Sequence, residues 1–228
     1  MQFFRHSLVG LVSVAALAAQ FNAPVQAQTI VYDNGINTVN IEGGFASDPD
    51  APSFIGDTFT FGATSTFNQV QFLGMYAFTN TPTVNPDNFT ISFYTMTEGV
   101  PDINPFTGGT FVLGDIGRTD TGVDAGRFDV YSYEANLATD VTLNAGTYVI
   151  SIVSETTNDP DDDWFWGVNS GFGSVFSRPT QTSSWAINRG EMAFTLLNSS
   201  SAAAPEPGTI ALLGIGLVGG IAARRRRG

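Results

Sequence analysis

The sequence predicts an all-β fold: an antiparallel β-sandwich or jelly roll of about nine or ten strands, flanked by an N-terminal signal helix and a C-terminal transmembrane helix. Apolar and polar side chains alternate in short runs along the middle of the 228-residue chain, as they do in strands with one buried face. Turn-forming residues, including 25 Gly and 11 Pro, separate these runs. The 19 Phe residues suit an aromatic core between two sheets.

Short apolar runs carry the strand pattern. In chain order they are TIVYD, DTFTF, VQFLGMYAF, NFTISFYTM, TFVLG, FDVYSY, GTYVISIV, WFWGV and EMAFTLL. In the second run Phe59 and Phe61 share one face, and in the fourth Phe89, Ile91 and Phe93 do the same. Because side chains alternate along a strand, we expect these faces to form the core of a domain covering residues 28–197.

The first 27 residues have the parts of a secretory signal peptide. Arg5 and His6 precede an apolar run from Ser7 to Ala19, and small residues end the segment at Ala27. A basic start, an apolar centre and a small-residue cleavage site direct a chain to export. The sequence therefore predicts a signal peptide over residues 1–27, cut after Ala27.

The C-terminal end has the parts of a membrane anchor. An apolar segment, residues 209–223, is followed by Arg224, Arg225, Arg226 and Arg227. As a helix it covers about 22 Å, so crossing a hydrocarbon core of about 30 Å requires flanking residues in the interface. Clustered arginines stay on the cytoplasmic side. We expect a tethered precursor with its body outside, held off the membrane by a small-residue linker at 198–204.

The tail resembles a known sorting signal. Pro205, Glu206 and Pro207, then the apolar helix, then the arginine cluster, are similar to the PEP-CTERM tail of Gram-negative bacteria. The resemblance covers residues 205–228. It implies that an integral-membrane exosortase recognises the tail, cuts near Pro-Glu-Pro and passes the body to the cell surface or extracellular matrix. It also implies a bacterium that makes exopolysaccharide.

The body resembles a group of PEP-CTERM proteins with a jelly-roll-like extracellular domain. The resemblance lies in the order YDNG, FTF, FYTMTEGVP, LNAGTYVISIV, DDDWFWG and GEMAFTLL. Carbohydrate-binding modules share this architecture, but the group implies no reaction. We expect a non-catalytic surface or matrix protein that binds or organises exopolysaccharide. The alternatives are a coat protein without a specific ligand and a glycoside hydrolase that uses a carboxylate pair about 5 to 9.5 Å apart.

Composition excludes several chemistries. The chain has no Cys, its one His is His6, and it has no Lys, so the body lacks a Ser-His-Asp triad, His or Cys metal ligands and a Schiff-base lysine. The body keeps four arginines against 20 carboxylates, which leaves it at −16. That charge disfavours nucleic acid as a partner. The sequence therefore favours a protein that is not an enzyme, with calcium as the cofactor that its carboxylates allow.

An aspartate-rich segment is a candidate calcium site. Asp159, Asp161 and Asp163 have the D-x-D-x-D spacing of an oxygen-rich calcium loop, although the segment lacks the glycine and the final acidic ligand of an EF-hand. The alternative is a solvated acidic turn. Asp48 and Asp50 lie in another loop and could add ligands if the two loops meet.

Tryptophans are the candidate ligand-binding residues. Trp164 and Trp166 share one face of a strand while Phe165 takes the other. Two exposed indoles in line would form a platform for sugar rings, which Trp185 would extend. The alternative is that the pair fills the core, the usual place for large aromatic residues in a sandwich.

Overall fold

Antiparallel β-strands form the whole of the described fold. The computed structural model describes residues 27–36, 41, 43–76, 87–155 and 163–200, and residues Gln28–Ser199 cluster as one unit. The 14 strands are β1 (Ala27–Asp33), β2 (Gly43–Ala46), β3 (Phe54–Phe61), β4 (Ser65–Tyr76), β5 (Asn88–Thr97), β6 (Val100–Pro101), β7 (Thr110–Asp115), β8 (Thr119–Ala125), β9 (Phe128–Leu143), β10 (Gly146–Ser154), β11 (Trp164–Val168), β12 (Ser174–Arg178), β13 (Ala186–Arg189) and β14 (Phe194–Ser200). The predicted all-β class is confirmed.

The strands form two seven-stranded sheets. The first has the order β1-β14-β4-β11-β2, and β9 and then β8 extend it from β4. The second has the order β13-β12-β3-β10-β5-β6, with β7 also paired to β5. Many neighbours, such as β1 and β14 or β3 and β10, are distant in sequence, so long-range contacts hold each sheet together. The predicted antiparallel two-sheet sandwich is confirmed.

Each of the nine predicted runs overlaps a strand, but the count of nine or ten is low. The structure adds five strands, which are β2, β6, β8, β12 and β13. Four of them are two to five residues long, and the seven residues of β8, TDTGVDA, are mostly polar and exposed. Pairing with a longer neighbour defines these strands, so their own sequences give little periodic signal.

One aromatic core lies between the sheets. The faces predicted from alternation are buried: Phe59 and Phe61 from β3 meet Phe89, Ile91 and Phe93 from β5. Their rings pack edge to face, as between Phe59 and Phe93 at 6.2 Å. Burial of each such side chain contributes about 1.5–3 kcal/mol, so this core supplies the main stabilising free energy of the sandwich.

The outer faces of the sheets also carry apolar clusters. On the first sheet, Leu73, Met75 and Val130 are buried, with Phe165 packed against them. On the second, Tyr94, Val149, Phe176 and Trp185 form a further cluster. Loops therefore cover part of each outer face, and the sandwich has apolar layers outside its central core.

The predicted N-terminal and C-terminal segments of the chain lie almost wholly outside the described residues. The signal peptide and the transmembrane helix at 209–223 fall there, and no helix among the described residues is long and apolar enough to cross a bilayer. The predicted linker start is wrong, because β14 continues to Ser200. The amide of Asn198 donates to the Thr66 carbonyl at 3.2 Å, and the Ser199 hydroxyl donates to Asn68 Oδ1 at 2.8 Å. These bonds hold the predicted linker residues Asn198 and Ser199 against β4.

Candidate functional site

Trp164 and Trp166 belong to the core. Both are 0% exposed, and their rings face inward from β11. Trp164 packs against Phe89 at 5.0 Å between ring centroids, and the Trp166 indole N–H donates to the Ala193 carbonyl at 3.2 Å. The predicted sugar platform is therefore wrong for this pair, because the two-sheet sandwich buries the face that they share.

Trp185 caps the outer face of the second sheet. It lies in the loop between β12 and β13 and is 8% exposed. The Arg178 guanidinium lies 4.1 Å from its ring centroid, and its indole N–H donates to the Asp102 carbonyl at 3.1 Å. Because one face is covered by Arg178 and the ring is buried, Trp185 does not extend a platform either.

The predicted calcium loop is described in part. Asp159 and Asp161 lie outside the described residues. Asp163 is described, and burial together with the charges of Asp48 and Asp50 raises its pKa. The Trp164 N–H donates to Asp48 Oδ2 at 3.2 Å, so the Asp163 end of the segment lies beside Asp48. Among the described residues no group of three or more metal-ligating side chains has the geometry to hold an ion. Calcium binding by this segment remains a prediction.

Asp57 is a buried carboxylate that joins three segments of chain. It lies on the inward face of β3 and is 0% exposed. Its Oδ2 accepts the Asn34 amide at 2.9 Å and the Met192 backbone N–H at 2.7 Å, and its Oδ1 accepts the Thr58 N–H at 2.7 Å. Burial, together with the charge of Glu191, raises the pKa of Asp57 to about 8, although the hydrogen bonds from Met192, Thr58 and Asn34 act to lower it. The sequence analysis did not single out Asp57, although it precedes Phe59 and Phe61 on the same face of one alternating run.

An open depression lies at the β12–β13 edge of the second sheet. It has a volume of about 520 Å³ and is lined by Phe172, Gly173, Ser174, Ile187, Asn188 and Arg189. Phe172 is 100% exposed and Ile187 67%. A fully exposed aromatic ring beside hydroxyl, amide and guanidinium groups is an arrangement that binds ligands with both apolar and polar faces.

The loop that carries Phe172 is held from two sides. This Phe172 loop, residues 169–173, connects β11 to β12. The Asn169 amide donates to the Asn34 carbonyl at 2.6 Å, and its Oδ1 accepts the Gly171 N–H at 2.7 Å. The Glu191 side chain lies against Gly173, since a Cβ there would come within 2.7 Å of the Glu191 carboxyl carbon. The ring is exposed, but its backbone is fixed.

The sequence analysis missed the residues of this depression. A signal was present, because Phe172 stands between two glycines in NSGFGS, outside any alternating run. Such a residue cannot be assigned to a core face by period.

Three of the four arginines of the body have partners elsewhere. Arg118 pairs with Asp87 at 3.0 Å, and Arg127 and Arg178 lie over aromatic rings. Arg189 is exposed at the depression.

Comparison with known proteins assigns the tail. The PEP-CTERM protein-sorting motif matches residues 203–227. No curated protein and no solved structure matches the chain. The match agrees with the resemblance seen in the sequence and begins two residues before Pro205. Residues 203–227 are therefore a PEP-CTERM protein-sorting motif, the signal of an exported, membrane-anchored precursor that exosortase processes toward the cell surface.

Proposed function

We propose that the body is a non-catalytic surface or matrix module that binds exopolysaccharide through the depression beside Phe172. The observation that carries the proposal is the fully exposed Phe172 ring next to Ser174, Asn188 and Arg189. The C–H face of a sugar ring lies flat on an aromatic ring. Hydroxyl, amide and guanidinium groups at the rim donate to sugar oxygens and fix its orientation. A module that repeats over a surface needs only weak affinity at each site.

The charge of the body supports a saccharide as the partner. At −16 the body repels other anionic macromolecules and copies of itself, so a coat that forms by self-association is disfavoured. Arg189 gives the depression a local positive group. That group can donate to the hydroxyl oxygens of a polysaccharide.

A carbohydrate-active enzyme is the second candidate, favoured by one observation. Asp57 has the raised pKa that a general acid needs, and Glu191 lies near enough to affect it. The geometry counts against catalysis by this pair, because Asp57 is fully buried and both of its oxygens accept N–H groups of the fold. A general acid must reach its substrate. Binding is therefore the better supported function.

Removing the Phe172 ring tests the proposed function. The full-length chain, kept in a mild detergent, is titrated with exopolysaccharide purified from the producing organism, with calcium and with a chelator. We expect Phe172→Ala to weaken binding about tenfold, since an aromatic contact and its buried area contribute about 1.4 kcal/mol. Arg189→Ala is expected to weaken binding as well, and the affinity of this variant should depend less on salt concentration than that of the parent chain.

The matched control for Phe172→Ala is Val112→Ala. Val112 is another exposed apolar side chain, 81% accessible, on β7 and outside the depression. It should leave the affinity unchanged. Equal affinity of Phe172→Ala and the parent chain would refute the site. Binding that depends on calcium would assign a role to the aspartate-rich segment.

A further inference from the structure

We propose that Asp57 is a positioning residue for the saccharide depression, which rests on the function proposed above. From its place in the core, Asp57 positions both walls of the depression through hydrogen bonds. One wall is the Phe172 loop, which it reaches through Asn34 and Asn169. The other is the chain that leaves β13 at Arg189, which it holds through Met192.

The first connection runs through two asparagines. Asp57 Oδ2 accepts the Asn34 side-chain amide at 2.9 Å. The backbone carbonyl of Asn34 accepts the Asn169 amide at 2.6 Å, and Asn169 Oδ1 accepts the Gly171 N–H at 2.7 Å. Gly171 is the residue before Phe172. An unbroken series of hydrogen bonds therefore joins the buried carboxylate to the base of the exposed ring.

The second connection is direct. The Met192 N–H donates to the same Oδ2 at 2.7 Å, and the Met192 carbonyl accepts the Asn34 amide at 2.9 Å. Met192 follows Glu191 and lies three residues after Arg189. The two walls also bond to each other, because Gly190 N–H donates to the Gly173 carbonyl and Asn169 N–H to the Glu191 carbonyl. One carboxylate thus sets the spacing of the ring and the guanidinium.

An aspartate suits this role better than an asparagine of the same shape. Both oxygens of Asp57 accept N–H donors, two at Oδ2 and one at Oδ1, and each oxygen keeps a lone pair for this when the carboxyl group is protonated. An asparagine has one acceptor oxygen, so in either orientation its NH₂ group faces an N–H donor. We therefore expect Asp57→Asn to leave at least one of the three N–H donors unmatched without a change of volume, whereas Asp57→Ala releases all three.

Amide hydrogen exchange of the full-length chain tests the connections without any saccharide. Asn169→Asp keeps the acceptor for Gly171 N–H and loses the donor to Asn34. We expect it to speed exchange at Gly171 at least tenfold and leave Met192 N–H unchanged. Asp57→Ala, which removes both acceptor oxygens, should speed exchange at both. Amides of β10 should keep their rates in Asn169→Asp, which separates loosening of the loop from loss of global stability.

Asn68→Asp is the matched control. Asn68 also bridges two segments, with Oδ1 accepting from Ser199 and its amide donating to Asp140 at 3.1 Å. The substitution makes the same charge change and should leave Gly171 exchange unaltered. Unchanged exchange at Gly171 in both Asn169→Asp and Asp57→Ala would overturn the proposal.

Titration with the purified exopolysaccharide separates this proposal from the function on which it rests. Faster exchange with affinity reduced about three- to tenfold in Asn169→Asp supports both. Faster exchange with unaltered affinity overturns the positioning role and leaves the binding function standing. If exchange is faster in the variants but the parent chain binds no saccharide, the control of the loop by Asp57 stands and the binding function is overturned.

Discussion

Trp164→Ala is expected to lower the free energy of unfolding by about 3–5 kcal/mol. The indole is fully buried and packs edge to face against Phe72, Phe89 and Tyr133, at 6.0, 5.0 and 6.1 Å between ring centroids. Truncation removes these contacts and leaves a cavity that surrounding strands cannot close. Urea unfolding of Gln28–Ser199, followed by circular dichroism, measures the loss.

The comparison variant is Phe172→Ala, which removes an aromatic ring of the depression instead of one in the core. Because Phe172 is fully exposed, its replacement should change the stability by no more than about 0.5 kcal/mol. A cost below about 1 kcal/mol for Trp164→Ala would contradict its place in the core. The two variants therefore separate the structural aromatic residue from the proposed functional one.

A glycine on β4 gives an independent check of the same packing. A Cβ at Gly74 would lie 2.6 Å from the Trp164 indole nitrogen, so Gly74→Ala alone should cost about 1–3 kcal/mol through overpacking. In a Trp164→Ala background the methyl group has room. A double-mutant cycle should then show a smaller cost for Gly74→Ala, and additive costs would contradict the contact.

Stability should fall as pH rises from about 4 to about 8. Burial raises the pKa of Asp57 to about 8 in the folded chain, whereas an unfolded aspartate titrates near 3.9. In this window the folded chain holds a proton that the unfolded chain has lost, so raising the pH favours unfolding. The slope from one group is at most about 1.4 kcal/mol per pH unit. Below the window the contribution is complete, and above it the contribution is absent.

Urea midpoints of Gln28–Ser199 at several pH values measure this slope. Asp57→Asn should flatten the profile between pH 4 and 8, because the titrating group is gone, although it costs stability throughout by leaving one N–H donor unmatched. The control is Asp140→Asn, an exposed aspartate on β9, which should keep the parent profile. A parent curve that rises with pH across the window would contradict a raised Asp57 pKa.

The sequence by itself determined the fold class, the strands with a clear period and the sorting tail. Alternation placed Phe59 and Phe61 in the core, because a strand with one buried face must repeat every two residues. The tail motif at residues 203–227 is local and is read without any fold. Chemistries needing Cys, His or Lys in the body were excluded by composition alone.

Only the tertiary structure decided which aromatic residues are buried and which carboxylates matter. The sequence offered Trp164 as an exposed candidate and did not single out Phe172, whereas the fold buries Trp164 and leaves Phe172 exposed. Asp57 links distant segments because Asn34 and Met192, which are 23 and 135 residues away in sequence, both donate to its carboxyl group in the fold. Period and composition describe neighbours along the chain, whereas burial and hydrogen bonding depend on segments that meet only after folding.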